Sequence, residues 1–184
     1  MRQTFRELLA YLKNPNLKED ESTNLKHKFS VFFKLLAICI LTSFIIGPIF
    51  VIVEEMGWID LNKHAMEELV KKLSKLQLTF FAVILAPVFE ELIFRAPLKL
   101  FRNPKSFKIA FYTLTLLFGF VHLSNFEITA NVVLLSPLLV LPQILLGGYL
   151  GFIRIKLGLL WSILLHATYN GIFLCLSFIP DTIQ

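Results

Sequence analysis

Five stretches of this chain are apolar for long enough to cross a lipid bilayer, and that fixes the kind of fold open to it. They cover about 31–53, 77–98, 107–124, 131–153 and 158–179. About 20 residues of helix span the hydrocarbon core. Inside that core no water can pair with a bare backbone amide, so each segment must satisfy its own hydrogen bonds. The expected fold is all-α: a polytopic transmembrane helix bundle of about five membrane helices, with one or two amphipathic surface helices. Composition agrees, with 56% hydrophobic residues and 19 Phe, against roughly 45–50% apolar for a soluble domain. Cys39 and Cys175 both lie inside apolar runs. They read as small packing residues, since a disulfide framework needs more cysteines in a small extracellular fold.

The polar segments set an expected orientation. Arg2, Arg6, Lys13, Lys18, Lys26, Lys28, Lys34, Arg95, Lys99, Arg102, Lys105, Lys108, Arg154 and Lys156 fall near run 1, between runs 2 and 3, or between runs 4 and 5. The opposite side holds only Lys63, Lys71, Lys72 and Lys75. The positive-inside rule then places the N-terminus in the cytoplasm. Residues 1–30 are expected as a cytoplasmic N-terminal segment and 31–184 as a membrane-embedded helical domain. Met1–Phe29 is too polar, and the first apolar run too long, for a cleavable signal peptide. The net charge of +5 is topogenic, and no basic face with interleaved aromatics offers a nucleic-acid site.

Two further helices are expected outside the spans. Residues 64–76 put Met66, Leu69, Val70, Leu73 and Leu76 at helical spacing among charges, the pattern of a helix lying at the membrane surface. Residues 1–13 put Phe5, Leu8, Leu9 and Leu12 on one side, and Asn14-Pro15-Asn16 should end that helix. The acidic run Glu19-Asp20-Glu21 is expected to be solvated. Run 4 holds Pro137 and Pro142, then Gly147, Gly148 and Gly151. A bent, closely packed helix with a structural role follows from prolines that free carbonyls and small residues that admit a neighbour.

Three apolar runs carry ionisable residues, which are expensive in lipid and usually face inward with a function. In run 2, Glu91 and Arg95 are four apart and face each other. Glu90 is turned about 100° away, leaving it free of Arg95. This assigns Glu91 and Arg95 to a structural pair and Glu90 to reaction, as a carboxylate suited to general-base work. The alternative is a salt-bridged helix end. Run 3 ends in Phe118-Gly119-Phe120-Val121-His122, where Phe118 is one turn from His122 and placed to pack on the imidazole. In run 5, His166 and Asn170 share a face, as a pair of oxyanion donors or as interhelical hydrogen-bonding residues.

Taken together, Glu90-Glu91-x-x-x-Arg95, Phe118-x-x-x-His122 and His166-x-x-x-Asn170 resemble the CPBP family, the CAAX proteases and bacteriocin-processing enzymes also called Abi. Leu146-Gly147-Gly148-Tyr149-Leu150-Gly151 resembles the Gly-rich approach to the last motif. The resemblance covers about 80–172, within a family-like core at about 75–179. It implies a glutamate-dependent intramembrane endopeptidase acting on a peptide or membrane-protein substrate. Glu90 and His122 would activate a water, His166 and Asn170 would hold the oxyanion, and Glu91, Arg95 and Phe118 would support the site. No cofactor is expected, and a metal such as zinc stays open as an alternative. The zincin motif HExxH is absent, and a zinc ion would need Glu90, His122 and His166 as ligands from three helices. Two other readings stay open: a non-catalytic protein of the same fold acting in bacteriocin immunity or as a scaffold, and a small proton-coupled carrier, which lacks a visible inverted repeat. A bacterial inner membrane is the expected location. One geometric tension stands: straight crossings would leave His122 far from Glu90 in depth, unless helix 2 runs on to about Leu100 or helix 3 is displaced.

Overall fold

The structure, a computed structural model, describes residues 1–61, 69 and 71–178. The described residues contain helices and no strand. Helix α1 is Arg2–Lys13, α2 is Leu25–Glu55 and α3 is the composite span Lys75–Leu100. Helix α4 is Pro104–Val121, continued by a 3-10 turn at His122–Asn125. Helices α5 (Ala130–Leu139) and α6 (Leu141–Lys156) make up the fourth span, and α7 is Leu159–Ser177. Five segments are long and apolar enough to cross a membrane, as the sequence predicts. Large apolar side chains such as Ile45, Leu76, Ile109, Leu134 and Leu160 point outward, the pattern of a bundle whose solvent is lipid.

Local chemistry sets the helix ends. The Asn103 carboxamide accepts from the amides of Lys105 and Ser106 and starts α4, with Pro104 at its first position, where a missing N–H does no harm. Ser74 and Gln77 form a reciprocal capping box that starts α3 at Lys75, satisfying two orphan donors. That moves only the end of the expected surface helix: Lys75 and Leu76 belong to the membrane span, Leu69, Lys71 and Lys72 are helical, and Met66, Glu67, Glu68 and Val70 lie outside the described residues. Gly158, at φ +109°, turns the chain between α6 and α7, a conformation that a side chain would strain.

The fourth span is broken at Val140, after which α6 begins at Leu141 with Pro142 in its first turn. Helix α6 is the centre of the bundle and packs most extensively on α4 and α7. Its glycines permit this. A Cβ at Gly151 would stand 2.6 Å from Phe111, and one at Gly148 would stand 2.8 Å from Leu12. Helix α2 is tied on by polar contacts across the apolar core. The hydroxyls of Ser43 and Tyr169 are 2.7 Å apart, and those of Thr42 and Tyr149 are 3.3 Å apart.

The N-terminal segment is more integrated than its polarity implies. Helix α1 buries Thr4, Leu8 and Tyr11 and leaves Phe5 and Leu9 exposed. The inward face is therefore rotated from the expected Phe5–Leu8–Leu9–Leu12 stripe, because α1 packs on both α2 and α6. Helix α1 ends at Lys13 as Asn14-Pro15-Asn16 predicts, and the Tyr112 hydroxyl donates to the terminal carbonyls of Leu12 and Lys13. The acidic run is not simply solvated. Glu19 binds Lys99 at 2.7 Å, Asp20 binds His27 at 2.7 Å, and the Asp20 amide donates to the Lys156 carbonyl. Those basic partners stand at helix ends from three different spans, so the acidic segment straps them together.

Candidate active site

The second span carries an irregularity that positions the site. Residues Phe80–Leu85 form a π-helical turn, and the Ala86 amide donates back to Phe81. The next residue is Pro87, which has no N–H. The carbonyl of Ala82 therefore loses both its α-type and its π-type donor within the helix. Asn170 of α7 supplies the replacement, its Nδ2 donating to that carbonyl at 2.9 Å. One of the predicted oxyanion donors is thus also a latch between two spans.

Beyond Pro87, α3 presents Glu90 and Glu91 to different surroundings. Glu91 is wholly buried, with Arg95 at 3.6 Å from Oε1 and His166 Nδ1 at 3.1 Å from the same oxygen. The Ser162 hydroxyl donates to Oε2. Three donor-capable groups around one carboxylate make a fixed anionic anchor, since an unpaired charge there would be costly. The Arg95 guanidinium also lies 3.7 Å from the Phe118 ring centroid, a cation–π contact. Arg154 donates to the Arg95 and Ala96 carbonyls and so ties α6 to the 3-10 turn at Ala96–Leu100. The span therefore reaches Leu100 as expected, though its last turn is 3-10 and not α.

Glu90 has no such anchor. Its side chain is 28% exposed, and its Oε2 has no hydrogen-bond partner. His122 Nε2 stands 3.9 Å from that oxygen and His166 Nε2 stands 3.7 Å from it. Both rings are oriented from behind. His122 Nδ1 is 2.7 Å from the Phe118 carbonyl, and His166 Nδ1 bonds Glu91. A carbonyl and a carboxylate only accept, so each Nδ1 carries a proton and each Nε2 is directed at Glu90. The Phe118 ring is 4.8 Å from the His122 ring and 5.7 Å from the His166 ring. It fills the space behind both, as its place one turn before His122 predicts.

These groups line a cavity of about 450 Å³. Glu90, His122, His166 and Asn170 share it with Phe81, Ala82, Tyr169, Pro142, Gln143 and Leu146. The depth tension between Glu90 and His122 is resolved in space, with the two side chains meeting across α3 and α4. Part of the offset comes from the 3-10 turn, which rises about 2.0 Å per residue against 1.5 Å in an α-helix. Run 4 is not merely structural, since Pro142, Gln143 and Leu146 form one wall. Among the described residues, no three His, Cys, Asp or Glu side chains are grouped as a metal centre.

Sequence reasoning overlooked Ser162 and Gln143. Ser162 had a signal, because Ser162, His166 and Asn170 recur every four residues on one face of α7. Gln143 had none beyond being a polar residue in an apolar run.

The fold and the site define a polytopic α-helical membrane protein with a Glu–His–His constellation inside its bundle. The family model for type II CAAX prenyl endopeptidase Rce1-like proteins matches residues 72–172. That is more than half of the chain, and the chain belongs to this family of membrane proteases. The match begins just before α3 and ends in α7, so it takes in every residue of the constellation and leaves α1 and α2 outside. No curated protein and no solved structure matches the chain.

Proposed function

We propose that the chain is an intramembrane endopeptidase that hydrolyses a peptide bond with a water activated by Glu90 and His122. The observation that carries this reading is the convergence of both imidazole Nε2 atoms on one unpaired Glu90 oxygen inside a cavity. A carboxylate with an open lone pair, facing two imidazoles from separate helices, is built to hold a water. The water donates one hydrogen to Glu90 Oε2 and approaches the Nε2 lone pair of His122. Glu90 takes the proton as the oxygen attacks the scissile carbonyl, and returns it to the departing amine. His166, oriented by Glu91 at Nδ1, donates through Nε2 to the developing oxyanion. Asn170 has a second amide hydrogen beyond the one given to Ala82, and adds a further donor. Losing one such donor typically lowers the rate about 100- to 1000-fold.

The substrate is a peptide or the tail of a membrane protein, and the family's description points to a prenylated CAAX sequence. We read the protein as lying in a bacterial inner membrane with its N-terminus in the cytoplasm, an orientation that the bias of basic residues supports. The test compares membrane peptides from cells carrying the normal chain with those from cells carrying Glu90→Ala. A defined set of uncleaved precursors should accumulate in the variant. An identical peptide profile, with the cellular phenotype kept, would favour an immunity or scaffold role instead.

A further inference from the structure

We infer that Gln143 is a substrate-binding residue that pairs with the main chain of the peptide in the cavity. The inference rests on the endopeptidase reading. Its observation is separate: Gln143 Oε1 is buried and has no hydrogen-bond partner in the structure. A buried amide oxygen left unpaired forfeits the hydrogen bond that water gave it and is destabilising. A chain packed in lipid gains nothing from such a group unless an occupant satisfies it.

The position of Gln143 says what that occupant is. The break at Val140 and the proline at 142 place Gln143 in the first turn of α6. Pro142, Gln143 and Leu146 face the same cavity as Glu90 and the two histidines. The rest of that wall is apolar, so a hydrocarbon tail laid against it would leave the amide oxygen unpaired. An extended peptide differs, because alternate residues expose both an N–H and a C=O to one side. A carboxamide has one acceptor and two donors and can pair with both. Asn170 is less available for this work, since its amide already donates to Ala82. Gln143 thus recognises the peptide backbone without regard to side chains. It holds the chain while Glu90 and His122 act on the neighbouring bond.

The test uses the full-length protein in detergent micelles and a prenylated CAAX peptide carrying a fluorophore and quencher. Gln143→Met keeps length and removes hydrogen bonding. It should raise KM about tenfold, the loss of one hydrogen bond, with kcat within about twofold. A set of peptides in which one backbone N–H at a time is replaced by an ester oxygen gives the second readout. One ester should raise KM about tenfold for the normal chain and leave KM unchanged for Gln143→Met. Binding of the labelled peptide to Glu90→Gln, with and without Gln143→Met, checks the same difference without turnover, and serves if the single variant is poorly active. Unchanged KM and binding in Gln143→Met, or equal ester effects in both proteins, would overturn the inference while leaving the protease reading intact. Wild-type-like cleavage by Glu90→Gln would overturn both.

Discussion

Replacing Gly119 with Ala should damage the site far more than the fold. A Cβ at this position would lie 2.3 Å from Ile144 Cγ1 and 3.3 Å from its Cδ1, with the Ile144 backbone nitrogen at 3.4 Å. Carbon atoms pack at about 3.5–4.0 Å, so the two helices must separate by roughly 1 Å or Ile144 must change rotamer. A β-branched side chain in a helix has almost one χ1 available, which closes the second route. Overpacking of this kind costs about 1–3 kcal/mol, while Gly→Ala in a helix returns about 1 kcal/mol. The net loss of stability is therefore about 0–2 kcal/mol. Activity responds differently, because Gly119 adjoins Phe118 and precedes His122 by one turn. Misplacing a reacting group by 1 Å can lower a rate about 100-fold. The stability assay is heat-induced labelling of the buried Cys39, in a Cys175→Ser background, and the activity assay is cleavage of the quenched peptide. Ile144→Ala makes the room that the new methyl needs. The double variant should recover most activity and be more stable than Ile144→Ala alone. Full activity in Gly119→Ala, or no rescue by Ile144→Ala, would refute the close-packing argument.

Three further outcomes follow from the geometry. Pro87→Ala supplies an N–H that the Ala82 carbonyl can accept, so Asn170 loses its hold and cleavage should fall about tenfold or more. Adding Asn170→Ala to that variant should then change little, and additive losses in kcat would contradict the latch. Ser162→Ala removes a donor from the buried Glu91 carboxylate and should destabilise the protein by about 1.5–3 kcal/mol, read as earlier labelling of Cys39; an unchanged profile would deny Glu91 its anchoring role. The side-chain hydrogen bond and charge of Lys99 hold the Glu19 carboxyl below the usual carboxylate range. A depressed acid stabilises the folded state above its unfolded pKa and loses that contribution as pH falls through the folded value. Proteolysis within residues 14–24 should therefore rise on acidification below the ordinary carboxylate range, and Lys99→Met should show the same susceptibility at neutral pH. Equal protection in both proteins across that range would count against the strap.

The parts of this molecule that the sequence disclosed are those governed by local periodicity. Five apolar runs became five spans because lipid leaves helices no alternative. The division between Glu90 and Glu91 was legible because Arg95, four residues on, can reach only one of them. Neighbours distant in sequence decided what was hidden. The inward face of α1 depends on α2 and α6 together, so its Phe5 and Leu9 could not be read as exposed from the helix alone. Glu19 and Asp20 looked solvated because Lys99 and His27 become partners only after folding. The π turn needs both a proline without an N–H and an asparagine 83 residues later than Pro87, and neither announces it singly. Gln143 is one amide in an apolar run, and only the break at Val140 turns it towards Glu90.

Glu90→Gln is the sharpest test, since it keeps the shape of the side chain and removes the proton acceptor. Purified variant and normal chain should be compared on the quenched prenylated peptide, with Cys39 labelling to confirm folding. Cleavage should fall at least about 1000-fold with an unchanged labelling profile, a loss within the range for a carboxylate that both activates water and protonates the leaving group. Turnover within about tenfold of the normal chain would show that Glu90 does not activate the water.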